Sequence, residues 1–272
     1  MLDKIIILAL EEDTSLGDIT SETIFNKEHY CQAVIKAKED MVICGIELAK
    51  EIFNHVDKGI KFKTAFKDGD KVKKGQILAT IDGSTLGILK AERTVLNFMQ
   101  RQSGISTLAS KFVSKARKYG VRICDTRKSL PGMRKLDKYA VLKGGAFNHR
   151  MSLADAILIK DNHIKAIGGI TKAITKCSKT APHTSKIEVE TKTLKQVGQA
   201  IKAKADIIML DNMTPEDIKK AKKIIGKKAI TEVSGGITLD NIEDYLKVKP
   251  DIISIGALTH SAKAADISLQ IL

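Results

Sequence analysis

From about position 121 the chain repeats one pattern: a short apolar strand, a polar or glycine cluster at its carboxyl end, then a helical stretch. The strands read VRICDTRK, AILIKDNH, IEVET, IIMLDN, ITEVSGG and IISIGA, and the later ones start near 187, 207, 230 and 253. That spacing is the period of a βα unit. Between them TLKQVGQAIKAKA, PEDIKKAKKIIG and TLDNIEDYLK carry apolar residues three and four apart, as amphipathic helices do. A chain of this kind builds either a parallel barrel or a doubly wound sheet. The polar residues decide between them. Arg127 and Lys128, Lys160 and Asp161, Glu190, Asp211, Ser234 to Gly236, and Gly256 all sit at carboxyl ends of strands. In a (β/α) barrel those ends converge on one face, whereas in an open sheet only strands beside a switch point share a site. Six contributing strands favour the barrel, and six is fewer than the eight of a closed one. The expected fold is therefore α/β, with an open, incomplete (β/α) barrel of about six strands.

The first hundred residues read differently. A helical start reaches about Glu12, the turn SLGD follows, and strand-like stretches lie at Gln32–Ala37 and Lys61–Phe66. FKDGDKVKKGQILATIDG resembles the turn-rich hammerhead of a biotinyl or lipoyl carrier domain. A carrier needs a lysine at a hairpin tip soon afterwards. Here STLGILKAERT follows, and Lys90 opens an amphipathic helix running through TVLNFMQRQSG. A similar fold used structurally is the better reading. The expected division is an N-terminal α/β domain over 1–105 and a barrel over 106–261, with a tail at about 262–272 packing back on the first domain.

The formal net charge of +14 raises the question of nucleic acid. The lysines are spread along the chain with no basic tail, Trp is absent and aromatics are 4%, so there is little to stack on bases. The arginines are not spread. All seven (Arg93, Arg101, Arg117, Arg122, Arg127, Arg134, Arg150) fall between 93 and 150, which points to anion binding there, since the guanidinium fork matches carboxylate and phosphate. Cys31, Cys44, Cys124 and Cys177 are scattered with no CxxC pair, which fits a reducing cytoplasm. The apolar run IIILAL is too short to span a bilayer and lacks a cleavage site, so neither membrane nor secretion is expected. No GxGxxG, P-loop or GxSxG occurs.

Convergent strand ends would gather four cations (Arg127, Lys128, Arg150, Lys160), with His149 and His163 nearby in sequence, and two carboxylates, Glu190 and Asp211. Ser234-Gly235-Gly236 precedes a helix expected near Leu239, and Gly256 opens the last loop before another helix. Glycine loops running into helices present N–H groups to phosphate. The ensemble suits a substrate with several negative charges, one of them a phosphate.

The stretch DTRKSLPGMRKLDKYAVLKGGAFNHRMSLADAILIKDNHI, Asp125 to Ile164, resembles the signature region of quinolinate phosphoribosyltransferases. AERTVLNFMQRQSGIST, VET, LDN, SGGI and SIGALTHS match that family in order and spacing, over nearly the whole chain from about Leu16. Ser129 and Leu130 stand where a threonine pair is common, and Phe147 replaces a small or polar residue. The resemblance implies a two-domain enzyme that joins quinolinate to phosphoribosyl diphosphate, releasing diphosphate and carbon dioxide to give nicotinate mononucleotide for NAD biosynthesis. It implies quinolinate contacts from Thr126, Arg127, Lys128, His149, Arg150 and Lys160, with Arg93 reaching in from a neighbouring subunit of a homodimer with composite sites; assembly beyond the dimer stays open. Lys128, Lys160, Glu190 and Asp211 become the expected catalytic residues. Glu190 and Asp211 serve ribose and magnesium, directly or through water or diphosphate, while Ser234, Gly235, Gly236, Ile255, Gly256 and Ala257 take the 5′-phosphate.

Two rivals remain at this stage. A homologous pyrophosphorylase-like protein associated with molybdenum transport genes would not need the full set Arg93, Arg127, His149, Arg150 and Lys160. A basic nucleic-acid-binding scaffold would lose affinity steeply with salt.

Overall fold

Helix α1 (Lys4–Thr14) opens the part of the chain that the computed structural model describes, residues 4–272. It is followed by α2 (Ile19–Ile24), β1 (Tyr30–Ala37), β2 (Met41–Val42), α3 (Ile46–Val56), β3 (Lys61–Lys63), β4 (Lys71–Val72), β5 (Ile77–Ser84) and α4 (Thr85–Ala116). Then come β6 (Arg122–Cys124), α5 (Arg134–Lys143), β7 (Ile157–Ile159), α6 (Asp161–Ile167), α7 (Ile170–Thr180), β8 (Ile187–Thr191) and α8 (Leu194–Lys202). The chain ends with β9 (Ile207–Asp211), α9 (Pro215–Ile225), β10 (Ile230–Ser234), α10 (Ile242–Lys247), β11 (Ile252–Ser254), α11 (Ala257–His260) and β12 (Ile267–Ile271).

The described residues divide into two units, 4–110 with 130–145 and 262–272, and 111–129 with 146–261. In the first, an antiparallel sheet runs in the order β12-β1-β5-β3, with β2 and β4 as a separate pair. Its core gathers Ile35, Ile43, Phe53, Leu78, Ile81 and Ile88. The C-terminal tail is held twice: β12 pairs with β1, and the Lys263 carbonyl lies so near Gly104 of α4 that any Cβ there would sit 2.0 Å from it. Helix α4 starts at Thr85, not Lys90, because β5 runs straight into it. Thr85 is buried, donates its N–H to the His29 carbonyl and pairs its hydroxyl with His29 Nδ1 at 2.8 Å. Strand β3 stops at Lys63, short of the expected Phe66, because Thr64 turns the chain, its hydroxyl donating to the Leu78 carbonyl and accepting from the Phe66 N–H.

Each unit is assembled from more than one stretch of chain. The segment 130–145 belongs with the first unit, where Arg101 of α4 grips Asp137 of α5 by two hydrogen bonds of 2.9 and 2.7 Å. Ser106 donates to the Ala140 carbonyl alongside.

The second unit is built on a six-stranded parallel sheet ordered β6-β11-β10-β9-β8-β7. In sequence order these are strands one, six, five, four, three and two, so the sheet curls in barrel order but β6 and β7 are not paired with each other. Side chains alternate faces along each strand. Val189, Ile208, Leu210, Val233 and Ile253 are buried on one face, in company with Val197, Ala200, Ile218, Ala221, Ile242 and Leu246 of the helices. Local signals start those helices. Thr193 caps α8 by accepting from the Gln196 N–H. Thr214 caps α9 in the same way, with Pro215 in its first turn and Lys222 and Lys223 in its last. After β10, however, α10 starts at Ile242 and not near Leu239: Thr238 and Asn241 lock a turn in which the Thr238 N–H donates to Asn241 Oδ1.

Candidate active site

The alternation that buries one face of each strand turns the other face inward. Leu158 and Lys160 on or just past β7, Glu188 and Glu190 on β8, Met209 and Asp211 on β9, and Glu232 and Ser234 on β10 are each two residues apart. At the carboxyl ends a cavity of about 290 Å³ is lined by Thr126, Arg127, Lys128, His149, Arg150, Leu158, Lys160, Glu190, Met209, Asp211, Ser234 and Ser254. That brings together nine of the residues singled out from the sequence: Thr126, Arg127, Lys128, His149, Arg150, Lys160, Glu190, Asp211 and Ser234. Leu158, Met209 and Ser254 were not expected there, although each follows from the period of two.

The cations are arranged unequally. Arg127 and Arg150 each keep an Nε buried and without a hydrogen-bond partner among the described residues. Arg150 donates from Nη1 to the Ala156 carbonyl at 3.0 Å. Burial, then the nearness of Arg127, draws its pKa down, and Glu188 works the other way. The two like charges repel each other. Lys160 instead sits on Glu190 at 2.5 Å, so that ammonium is already engaged by a carboxylate. Lys160 also begins α6, where its N–H donates to His163 Nδ1, so His163 acts as a helix-end brace. Lys192 ion-pairs Asp161 at 3.2 Å and lies 4.0 Å from Asp211.

The glycine loops are shaped by neighbours. Gly235 has φ +101°, and a Cβ there would lie 2.3 Å from Asn212 Oδ1. Asn212 itself is left-handed at φ 56° and donates its N–H to the Ser234 carbonyl. Gly256 lets the Lys128 stem lie close, a Cβ there falling 3.0 Å from Lys128 Cδ, and Thr259 Oγ1 donates to the Lys128 carbonyl. Gly235, Gly236, Ile255, Gly256 and Ala257 do not line the cavity but adjoin Ser234 and Ser254, which do. Arg93 is an exposed residue of α4 and is not among the lining residues. Of the seven clustered arginines, two line the cavity. Arg101 serves Asp137, and Arg122 stacks over the Phe147 ring at 5.5 Å.

Two buried carboxylates that the sequence did not single out, Glu188 and Glu232, meet His149. His149 Nε2 is 3.2 Å from Glu188 and 3.5 Å from Glu232, both buried. Burial opposes a charged ring, but the two glutamates beside it outweigh that and raise the His149 pKa to about 10. Burial holds the Glu188 carboxyl above the usual range, the His149 hydrogen bond pulls it back, and Glu232 pushes it up again.

A cavity lined by cations and carboxylates at the carboxyl ends of an incomplete parallel barrel can be compared with known proteins. The quinolinate phosphoribosyl transferase N-terminal domain model matches residues 18–103, and the C-terminal domain model matches residues 105–270. A probable nicotinate-nucleotide pyrophosphorylase (carboxylating) of Methanocaldococcus jannaschii is 46% identical over 277 residues, covering 98% of this chain and 96% of that protein. Its Bacillus subtilis counterpart is 43% identical over 260 residues, covering 96% and 90%. The solved nicotinate-nucleotide pyrophosphorylase of Francisella tularensis superposes with a TM-score of 0.94 at 42% identity, covering 99% of this chain and 95% of that one. With both domain models matched end to end and close relatives spanning nearly its full length, the chain belongs to the quinolinate phosphoribosyltransferase family.

Proposed function

We propose that the chain joins quinolinate to phosphoribosyl diphosphate, giving nicotinate mononucleotide, diphosphate and carbon dioxide. The observation that carries this is the pair of buried, unpartnered guanidinium Nε groups of Arg127 and Arg150 in one cavity with Glu190 and Asp211. Unmade hydrogen bonds on buried charges are costly, so a site that keeps two is built for an anion. Quinolinate carries two carboxylates. Arg127, Arg150 and Lys160, with Thr126, Lys128 and His149 around them, hold it so that the ring nitrogen faces C1 of the ribose. As the C1–O bond to diphosphate breaks, positive charge grows on the ribose, and Glu190 and Asp211 stabilise it. The nitrogen lone pair then forms the new bond. The alkylated ring accepts the electron pair left at C2 when the adjacent carboxylate departs as carbon dioxide, and a proton replaces it. Positioning and electrostatics suffice, with no covalent nucleophile.

Magnesium bound with the diphosphate would supply positive charge against the leaving group. The hard carboxylate oxygens of Glu190 and Asp211 fit that ion, and these two residues would hold it. Ser234 to Gly236 and Ile255 to Ala257 take the 5′-phosphate. A second copy of the chain supplies Arg93, which is exposed on α4. Four free cysteines suit a cytoplasmic setting, and no helix of the described residues is long and apolar enough to cross a membrane.

The test is an assay of purified protein with both substrates, reading nicotinate mononucleotide and carbon dioxide. Nicotinate, with one carboxylate fewer, leaves a buried cation unpaired at a cost of about 2–5 kcal/mol, so it should react far more slowly. Comparable rates with nicotinate would overturn the assignment.

A further inference from the structure

His149 lines the cavity, yet both polar edges of its ring are engaged within the protein. Nε2 faces Glu188 Oε2 and Glu232 Oε1 at 3.2 and 3.5 Å. Nδ1 accepts the backbone N–H of Arg150 at 2.8 Å, and the His149 N–H donates to Asp125 Oδ1 at 2.8 Å. Neither glutamate lines the cavity, and their side chains are 4% and 2% exposed. Glu188 Oε1 and Glu232 Oε1 have no hydrogen-bond partner among the described residues.

The three side chains put their donor atoms within 4.8 Å of one another, a spacing that would also suit a metal ion. The far side of the ring argues against one. A metal on Nε2 would need the ring proton on Nδ1, and the Arg150 N–H already points there. With the Arg150 N–H on Nδ1 the ring carries one proton, on Nε2 toward Glu188; the glutamates favour a second, which Nδ1 could take only by giving up the Arg150 N–H.

We propose that Glu188 and Glu232 are positioning residues for quinolinate binding: they hold the His149 ring, the ring holds the Arg150 backbone, and Arg150 thereby meets the substrate in place. His149 then braces Arg150 besides facing the cavity. The inference rests on quinolinate being the substrate. The buried carboxylates have a second use, since Glu188 counters the repulsion between Arg127 and Arg150.

The test compares quinolinate binding by calorimetry, and KM for each substrate, in wild type, Glu232→Gln, His149→Gln and the double variant. Glu232→Gln should weaken quinolinate binding about tenfold, the loss of the carboxylate charge that faces the ring, while KM for phosphoribosyl diphosphate changes less than about twofold. The double variant should be no worse than His149→Gln, because the glutamate acts through the ring. Unchanged quinolinate affinity in folded Glu232→Gln, or losses that multiply in the double variant, would overturn the proposal. Should Glu232→Gln fail to fold, nitrogen NMR of histidine-labelled wild type decides. Nδ1 should resonate as an unprotonated acceptor and Nε2 as a protonated donor, and a ring protonated at both nitrogens would overturn it. Wild type that neither binds nor converts quinolinate would instead sink the functional reading beneath it.

Discussion

Gly235 shows why LDN and SGG belong together: Asn212 of the first motif occupies the space where a side chain on the second would go. Gly235→Ala should cost about 1–3 kcal/mol through its strained backbone and raise KM for phosphoribosyl diphosphate, read by thermal melting and initial rates. An unchanged KM would detach this loop from phosphate binding. Asp211 makes the complementary case. Asp211→Ala should abolish turnover while calorimetry still detects quinolinate, since the ring is held by the arginines. Loss of quinolinate binding, with phosphoribosyl diphosphate binding kept, would mean the carboxylate roles are misassigned. Glu190 and Asp211 are legible in the sequence because each ends a strand just before a turn. Glu188 and Glu232 lie two residues earlier on the same faces, so the period of two does mark them. What it does not show is their partner, which comes from a loop about forty residues before one and eighty before the other.

Among the elements, α5 is the least readable in advance. Its sequence sits inside the DTRK to NHR signature, and signature residues suggest the site, yet the helix itself belongs to the other unit. The attachment depends on Arg101 meeting Asp137, whose side chain is fully buried, and no local pattern announces a pair thirty-six residues apart. Burial raises the Asp137 pKa even against the pull of Arg101. Arg101→Leu would leave that carboxylate buried and unpaired, which should cost about 3–5 kcal/mol. With its pKa further above the unfolded value, the folded state binds more protons than the unfolded one, so stability falls as pH rises through that pKa. Melting of the variant relative to wild type should therefore worsen as pH rises above the ordinary Asp value of about 3.9. A loss independent of pH would assign the damage to packing. The βα units, by contrast, are plain in the sequence, because apolar periodicity and Thr caps are local.

For the whole molecule, the family resemblance sets an expectation that one chain cannot meet alone. Arg93 lies on α4 in the first unit, whereas Lys160 ends a strand of the second. If a second copy supplies Arg93, Arg93→Ala and Lys160→Ala should each be nearly inactive. In a mixed dimer one site carries both defects and the other neither. Random remixing makes about half the dimers mixed, so roughly a quarter of wild-type activity should return. Parents and mixture equally dead, despite proven subunit exchange, would place Arg93 in its own chain or outside the reaction.

A sheet that stops before closing leaves two rows of backbone groups able to recruit a stranger's strand, the usual first step toward insoluble aggregates. Here both outer strands, β6 and β7, are three residues long against five for β8, β9 and β10. The rim of β6 is further taken up by the chain itself: Phe147 bridges Cys124, its N–H donating to the Ile123 carbonyl and its carbonyl accepting from the Asp125 N–H. The loop that carries His149 and Arg150 into the cavity thus doubles as a guard on the sheet's margin. Substitutions that loosen it should cost solubility as well as turnover.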